Sequence, residues 1–284
     1  MPDIVTSHSS APREIAGAVW WLPECLLIPM GDAPKHLHTA PYLIVGSEKT
    51  LLWDTGSPLQ WDGIIASVRT VLGDRPLDYV VPSHPEVAHS GNTPLLLLEY
   101  PEAKLVGNVK DYPFYWPDFV DRMEHRGPGA ELDLGDRTFV LLDALVKDLP
   151  SSQWGYDASQ QVLFVGDGFA YSHQPPIDDD DRPVHSPGEC RLLASELDGE
   201  PGPDQIVWIT KAALYWTRFV RMDVFLDAFR QMLATYPTRI VAPAHGAVID
   251  DMDAIVWVIW EALGLAYSPD AGVKAAGVGL LDRG

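Results

Sequence analysis

Short apolar segments separated by polar turns run along most of the chain. Two of them, residues 42–45 and 50–53, flank the polar residues 46–49, and this spacing predicts a β-hairpin. Further apolar runs of strand length, bounded by Gly, Pro or polar residues, predict strands at 17–30 (two strands around Pro23), 77–81, 104–106, 131–142, 162–165, 205–208 and 239–242.

Apolar positions at helical spacing predict helices between these strands. Residues 58–72 begin with a proline, which suits a first helical turn, and residues 222–235 are amphipathic. Residues 93–100 and 251–263 complete the predicted helices. Because strands and helices alternate without a linker, we expect one α/β domain over residues 1–284, with layered sheets, outer helices and a core at about 17–263.

Charge, hydropathy and cysteine content argue against a nucleic-acid-binding, membrane or disulfide-stabilised protein. The chain has 40 acidic and 20 basic residues, and a formal net charge of −20 repels phosphate backbones, so we expect no nucleic-acid partner. The apolar runs are shorter than the roughly 18 residues of a membrane span, so we expect no membrane partner. Cys25 and Cys190 form no disulfide framework, and the first residues lack a secretory signal, which favours the cytoplasm. The acidic run 178–181 offers a cation site as one interpretation, but its Pro-rich surroundings favour a solvated loop, which could border the metal-capable residues.

Metal-capable side chains follow three of the predicted strands. His84, Glu86 and His89 lie after residues 77–81, Asp167 follows VLFVG, and His245 follows RIVAP. Ligands of α/β proteins collect at the carboxyl ends of strands. Each motif alone is typical of a turn, but together they predict a metal centre.

The order YLIVGSEKTLLWDTG, SHPEVAHSGN, VLFVGDGF and IVAPAHG resembles the metallo-β-lactamase superfamily over roughly residues 40–250. The resemblance implies an αββα sandwich, in which two mixed sheets pack face to face and helices cover both outer faces. It also implies up to two metal ions along one edge of the sheets. The loop motif of the family, His-x-His-x-Asp-His, reads here His84-Pro-Glu86-Val-Ala88-His89.

Glu86 replaces the second His of this motif, and in this respect the sequence resembles the flavodiiron branch of the family. Members of that branch bind two irons and react with dioxygen or nitric oxide. A di-iron β-hydroxylase branch also has this Glu. Carboxylates suit iron or manganese, whereas zinc prefers His and Cys, so the resemblance implies iron, with zinc or manganese as alternatives.

The family places another ligand shortly before the VLFVGD strand, where it is usually a His. No His lies between residues 126 and 172. The flavodiiron pattern around this ligand resembles the surroundings of Asp148, which precedes Leu-Pro, and Asp143 and Asp157 are the competing candidates. A carboxylate at this position resembles the β-hydroxylase branch.

Ala88 stands where the family has a ligating Asp, and it carries no donor atom. The resemblance then implies a first metal site of His84, Glu86, Asp148 and Asp167, and a second, more open site of His89, Asp167 and His245. One metal, two metals or a metal-free relic remain open at this point.

Other residues are expected around the centre. Asp54 resembles a structural Asp of the family that braces the metal loop. His36 and His38 stand at alternate positions of one strand, so their side chains would share a face. They could line the wall of the pocket, contact the substrate, or substitute for the carboxylate missing at Ala88. His173 and Trp216 are further candidates for the pocket wall; Tyr215 and Arg218 flank the latter.

The motifs and the resemblance favour a metalloenzyme with a carboxylate-rich, non-haem di-iron centre that binds or activates dioxygen. The chain has no Gly-rich flavin loop, so we expect a separate electron donor, and an oligomer remains open. One alternative is a metal-dependent hydrolase of an ester, lactone or activated aryl ether, which uses a metal-bound hydroxide. The other alternative is a non-catalytic metal-binding subunit of a complex.

Overall fold

The computed structural model describes residues 6–28, 35–172, 188–197, 201–219, 221–256, 258 and 262. Its strands are β1 (Thr6–Ser9), β2 (Arg13–Ala16), β3 (Val19–Trp21), β4 (Glu24–Ile28), β5 (Lys35–His38), β6 (Tyr42–Val45), β7 (Thr50–Trp53), β8 (Tyr79–Val81), β9 (Lys104–Gly107), β10 (Met123–His125), β11 (Glu131–Asp133), β12 (Thr138–Asp143), β13 (Gln153–Asp157), β14 (Val162–Gly166) and β15 (Ile240–Pro243).

Within the described residues, the α-helices are α1 (Trp61–Leu72), α2 (Val87–Ser90), α3 (Thr93–Glu99), α4 (Tyr112–Tyr115), α5 (Pro203–Ala213) and α6 (Met222–Thr235). Short 3₁₀ helices cover Pro58–Gln60, Pro117–Arg122, Glu189–Arg191, Ala194–Glu196 and Tyr215–Phe219, and Met252–Val256 forms a π-helical turn.

Two large mixed sheets form the body of the fold. The first has the order β10-β9-β8-β7-β6-β3-β2, in which β7, β8, β9 and β10 are parallel neighbours and the remaining pairs are antiparallel. The second has the order β11-β12-β13-β14-β15, and only its last pair is parallel. The predicted hairpin is the antiparallel pair β6–β7.

Alternate residues of the seven-stranded sheet enter two different cores, as the two-residue period of a strand requires. Trp53, Val81 and Val106 face the core shared with the five-stranded sheet, where Trp53 packs against Phe139 and Phe164. Their neighbours Leu52, Val80 and Leu105 face the opposite core, together with residues of α1 and α3. The two large sheets therefore pack face to face.

Helices cover the outer faces of this sandwich. On the seven-stranded side, α1 contributes Ile64 and Val68 to the outer core. On the five-stranded side, Ile206 of α5 and Phe229 of α6 join the core, and the ring of Phe229 lies 5.0 Å from that of Phe169. The predicted αββα sandwich of two mixed sheets is confirmed.

A third, three-stranded antiparallel sheet, with the order β1-β4-β5, was not predicted. Its middle strand pairs Cys25 with His38 and Leu27 with His36. The chain turns from β3 into β4 at Leu22 and Pro23, so the predicted pair of strands around Pro23 exists but its members belong to different sheets.

The strand predicted at 205–208 is wrong, because these residues lie inside helix α5. Helix α5 is buried on several faces, so consecutive residues such as Ile206, Val207 and Trp208 are all apolar. A short apolar run of this kind does not distinguish a buried helix from a strand. Of the helix predicted at 251–263, the described part is the π-helical turn and most of the remainder lies outside the described residues. Among the described residues, no helix combines the length and the apolar character needed to span a membrane.

Candidate metal centre

Parallel strand pairs bring the metal-capable residues to one edge of the sandwich. The loop after β8 carries His84, Glu86 and His89, the last of these in the short helix α2. In the other sheet, Asp167 follows β14 and His245 follows β15, and these two strands are parallel neighbours. The backbone of Gln153 donates to the carbonyl of Ser83 at 2.9 Å, which joins the two sheets beside the site.

Asp167 lies at the middle of the cluster. Its Oδ1 is 3.0 Å from Nε2 of His89 and 3.1 Å from Nε2 of His245, and its Oδ2 is 3.4 Å from Nε2 of His84. The carboxylate and the three imidazoles are almost fully buried. Three rings from two separate sheets therefore direct their Nε2 atoms at one carboxylate.

Two further carboxylates complete the cluster. Oε2 of Glu86 is 3.4 Å from Nε2 of His84 and 3.7 Å from Nε2 of His89, so it lies between the two rings. Oδ2 of Asp148 is 3.8 Å from Nε2 of His84. The side chain of Glu86 is 47% exposed and that of Asp148 is 19% exposed, so these two carboxylates form the solvent side of the cluster.

The opposite nitrogens of the rings are held by protein groups. Nδ1–H of His89 donates to Oδ2 of Asp54 at 3.0 Å, and Nδ1–H of His245 donates to the carbonyl of His38 at 2.6 Å. Ser83 Oγ lies 3.1 Å from Nδ1 of both His84 and His89. A contact of this kind fixes the tautomer and the orientation of an imidazole whose other nitrogen binds a metal.

The donor atoms of this cluster fit a cation. With Nδ1 protonated, the neutral rings of His89 and His245 turn the lone pairs of Nε2 toward the Asp167 carboxylate. Both oxygens of Asp167 and Nε2 of His89 are buried, and apart from the contacts between the rings and this carboxylate they have no hydrogen-bond partner among the described residues. Buried polar atoms that lack partners are costly, and a metal ion between them satisfies all of them.

The charges of the cluster shift several pKa values. Burial alone would lower the pKa of His89, but the Asp167 and Asp54 carboxylates outweigh it and hold that pKa well above its usual range. Burial likewise opposes ionisation of Asp167, but His89 and His84 hold its pKa well below the usual range. A hydrogen bond with His84 lowers the pKa of Glu86. A proton on the imidazoles and a metal ion therefore compete for the same lone pairs.

Asp148 differs from the other carboxylates of the cluster. Burial, followed by the charge of Asp167, raises its pKa to about 6. This residue lies beside the cluster, whereas the side chain of Asp143 is exposed and paired with Lys147. Asp157 is buried in a different contact, 3.3 Å from the Arg137 guanidinium. Of the three candidates named from the sequence, only Asp148 is within 4 Å of a ring of the cluster among the described contacts.

Asp54 lies directly behind the metal loop. Its φ of 58° is in the left-handed region, which is uncommon for a residue other than Gly. In this conformation Oδ1 accepts from the backbone N–H of Ser83 at 2.6 Å while Oδ2 accepts from His89. One carboxylate therefore ties both ends of the loop to the end of β7.

The two histidines of β5 contact a different group of side chains. Nε2 of His36 lies 2.9 Å from Sγ of Cys25, and Nε2–H of His38 donates to the carbonyl of Cys190 at 3.1 Å. These contacts lie away from Asp167, so they lend no support to a role of either ring as the substitute for the carboxylate missing at Ala88, and the role as a pocket wall or substrate contact stays a prediction. The part of β5 that reaches the cluster is the carbonyl of His38.

Trp216 contributes through its indole N–H, which donates to the carbonyl of Lys147 at 2.5 Å. This bond holds the residue that precedes Asp148. The predicted pocket residue His173 and the acidic run 178–181 lie outside the described residues. Sequence reasoning missed Ser83 and the His38 carbonyl, since a hydroxyl next to a ligand and a backbone oxygen carry no sequence signal.

Comparison with known proteins places this geometry in context. The model of the metallo-beta-lactamase superfamily matches residues 36–205. The chain is 30% identical over 230 residues to a coenzyme F420H₂ oxidase of Methanothermobacter marburgensis, which covers 76% of this chain and 51% of that protein. The chain thus spans about half the length of the curated relatives it matches.

Solved structures of other proteins share the fold. The rubredoxin oxygen:oxidoreductase of Desulfovibrio gigas superposes with a TM-score of 0.67 at 17% identity and covers 90% of this chain and 61% of that chain. The fragment 1–254 of a diflavin flavoprotein from Nostoc sp. superposes with a TM-score of 0.63 at 14% identity and covers 91% of this chain and 96% of that fragment.

Proposed function

We propose that this chain, which belongs to the metallo-beta-lactamase superfamily, holds a carboxylate-rich non-haem di-iron centre and uses it to bind and reduce dioxygen. The observation that carries the proposal is the cluster itself, in which three buried imidazoles and the carboxylates of Glu86 and Asp148 converge around Asp167. Relatives and structural neighbours that are named as oxidases or oxygen oxidoreductases support the same reading.

The cluster divides into two sets of donors around the shared Asp167. His84, Glu86 and Asp148 would hold one iron, with Oδ2 of Asp167 on the same side. His89 and His245 would hold the second iron with Oδ1 of Asp167. Glu86 also lies within 3.7 Å of His89, so it is available to the second iron, for which Ala88 provides no donor.

The donor set favours iron over zinc. Carboxylate oxygens are hard donors, and a His-and-carboxylate set with open positions is typical of non-haem iron. Zinc sites use His and Cys more readily, and no thiol belongs to this cluster within the described residues. When bound, the iron ions would supply the redox chemistry.

The protein groups around the cluster would orient and shield it. Asp54 and the His38 carbonyl hold two of the rings in place, so little reorganisation is needed when the ions bind. Burial of Asp167 and the three rings keeps bulk water out, while the half-exposed Glu86 marks the side from which dioxygen enters. Reduction of dioxygen also requires electrons, and we assign these to a separate donor protein in a reducing compartment such as the cytoplasm.

The test combines metal content, spectrum and turnover. Freshly purified protein is analysed for iron, zinc and manganese, and its absorption is recorded in air and after anaerobic reduction. Oxygen uptake is then measured with photochemically reduced flavin as the electron donor. We expect near-stoichiometric iron, a ferric band that is lost on reduction, and oxygen uptake above that of the flavin alone.

Variants of the cluster provide the control for this test. His84→Ala should remove iron and oxygen uptake together, whereas His125→Ala, an exposed residue of β10, should leave both unchanged. Stoichiometric zinc or manganese without a visible band would overturn the proposal and favour a hydrolase, which is assayed with ester, lactone and aryl ether substrates. Stoichiometric iron without oxygen uptake would favour a non-catalytic subunit.

A further inference from the structure

Three metal-capable side chains form a second cluster, separate from the one around Asp167. Cys25 of β4, His36 of β5 and Cys190 of the 3₁₀ helix Glu189–Arg191 are all buried, and one ligand atom from each lies within 4.8 Å of the others. We call this group the thiol cluster. Cys25 and Cys190 are far apart in sequence, and neither forms a disulfide.

The three ligand atoms are already close together. Nε2 of His36 lies 2.9 Å from Sγ of Cys25 and 3.4 Å from Sγ of Cys190, and the two sulfurs are 3.3 Å apart. A tetrahedral ion with Zn–S of about 2.3 Å and Zn–N of about 2.0 Å would separate its ligand atoms by roughly 3.5–3.8 Å. The ligand atoms would therefore move apart by roughly 0.1–0.6 Å to admit such an ion.

We propose that the thiol cluster binds one Zn²⁺ ion through Cys25, His36 and Cys190, as a site distinct from the cluster around Asp167.

The chemistry of the cluster selects a soft ion. Thiolate and imidazole are the donors that zinc prefers in structural sites, in contrast to the carboxylates around Asp167. Two thiolates, one neutral imidazole and one Zn²⁺ carry no net charge, so the complex suits a buried location where isolated thiolates would be costly. Binding would release the protons of the two thiols.

The position of His36 distinguishes this reading from a redox pair. A disulfide requires a sulfur–sulfur distance of about 2.05 Å, so the sulfurs would have to approach each other by more than 1 Å. Such a bond would leave the imidazole without a role. Here Nε2 of His36 faces both sulfurs at once, which is the arrangement of three ligands around a common centre.

The surroundings tie the thiol cluster to the rest of the fold. Nε2–H of His38 donates to the carbonyl of Cys190, and the His38 ring packs 5.3 Å from Trp21. The carbonyl of the same His38 accepts the hydrogen bond from His245. An ion bound to His36 would therefore fasten the strand whose end orients His245.

Cobalt(II) tests the site in the whole protein. The protein is stripped with a chelator under anaerobic, reducing conditions, and Co²⁺ is titrated in. Only sulfur ligands give intense thiolate-to-cobalt charge-transfer absorption, and the described cluster around Asp167 contains no sulfur. We expect this absorption to appear, to stop rising once the thiol cluster and the Asp167 cluster, which also takes up Co²⁺, are both filled, and to disappear when Zn²⁺ is added in the same amount.

Three variants identify the ligands. Cys25→Ser, Cys190→Ser and His36→Gln should each lose one equivalent of zinc and weaken or abolish the charge-transfer absorption, whereas Ser195→Ala, beside the same segment, should retain both. Circular dichroism reports whether each variant is folded. Iron content and oxygen uptake are measured on the same samples, so loss of the zinc site alone does not affect the proposal for the Asp167 cluster.

Two results would overturn the zinc site. One is the absence of charge-transfer absorption in wild-type protein whose two thiols are reduced and titrate with Ellman's reagent after denaturation. The other is the absence of titratable thiols in protein purified without reductant, which would show a disulfide between Cys25 and Cys190 instead.

Discussion

At the scale of single residues, the protein separates hard and soft donors into two places. Carboxylates accompany the imidazoles around Asp167, whereas thiols accompany His36. Since metal selectivity in proteins follows ligand type and geometry more than raw affinity, changes of one donor atom should change which metal is bound.

Glu86 offers the most direct test of this selectivity. Replacing it by His exchanges a hard oxygen for a nitrogen between the rings of His84 and His89, so we expect Glu86→His to bind more zinc relative to iron than the wild type. Metal content after growth with equal iron and zinc provides the measurement. Glu131→His, on the exposed face of β11, serves as the control, and an unchanged ratio in Glu86→His would refute the role assigned to this carboxylate.

Asp54 should act on metal affinity without touching a metal. The variant Asp54→Asn keeps the shape but presents an amide to the backbone of Ser83 and to Nδ1 of His89. We expect metal affinity at the Asp167 cluster to fall about 10- to 100-fold, as for other groups that orient ligands. Competition with a chromophoric chelator measures this, and Asp62→Asn on the exposed surface of α1 should show no change.

Asp148 predicts a pH-dependent stability of the metal-free protein. Burial raises the pKa of this carboxyl from 3.8 to about 6, so its ionised form destabilises the fold. The penalty is small at pH 4, close to the ordinary pKa of 3.8, vanishes at lower pH where the carboxyl is protonated in both states, and is nearly complete above the folded pKa of about 6. Asp148→Asn should therefore raise the free energy of unfolding at pH 8 by about 1–2 kcal/mol, after allowance for solvent screening, and by much less at pH 4.

Urea denaturation of the metal-free proteins at both pH values measures this difference. Asp143→Asn, whose side chain is exposed, should show no comparable pH dependence. In the metal-loaded protein the sign should reverse, since Asp148 is then a ligand and its loss weakens binding. A gain that is equal at pH 4 and pH 8 would contradict the assigned pKa.

At the scale of elements, close contact between the two large sheets depends on a glycine. A Cβ on Gly155 of β13 would lie 2.3 Å from Phe139 and 2.9 Å from Trp53, in the middle of the shared core. Gly155→Ala should therefore lower the free energy of unfolding by about 1–3 kcal/mol, the usual cost of overpacking.

Chemical denaturation of the metal-free protein measures this cost. A Cβ on Gly127 would meet no atom within 4 Å, so Gly127→Ala is the matched control and should change stability little. Equal stabilities of the two variants would show that the sheets adjust more freely than the packing indicates.

The same scale shows what could be predicted from sequence. His84, Asp167 and His245 each follow an apolar strand, and such local signals placed them at strand ends. Helix α5 was misread because its apolar run is short, and the third sheet was missed because pairing between β1, β4 and β5 is not encoded in any local period. Cys25 and Cys190 are in contact although they are 165 positions apart, and their spacing in the sequence gives no sign of this contact.

At the scale of the whole molecule, the excess of acidic residues is the dominant property. With a formal net charge of −20, like charges repel one another in the compact state, and salt screens that repulsion. We expect the thermal unfolding midpoint of the metal-loaded protein to rise between low and physiological ionic strength. A midpoint that falls with added sodium chloride would show instead that ion pairs such as Arg13–Glu196 outweigh the repulsion.

The extent of the domain stays a prediction at this scale. Residues 1–284 were expected to form one domain, and limited proteolysis of the metal-loaded protein would test that expectation. The charge pattern that argued against nucleic acid is likewise a property of the whole surface, and it could be read from composition without any knowledge of the fold.

The hydrogen bond from His245 to the His38 carbonyl has a thermodynamic consequence. If zinc in the thiol cluster strengthens binding at the Asp167 cluster by some factor, then occupation of the Asp167 cluster must strengthen zinc binding by the same factor, because coupling between two sites is reciprocal. Loss of the iron ions would then lower the affinity of the thiol cluster for zinc. Loss of zinc would likewise lower the affinity of the Asp167 cluster for iron, and strand β5 would couple the two sites.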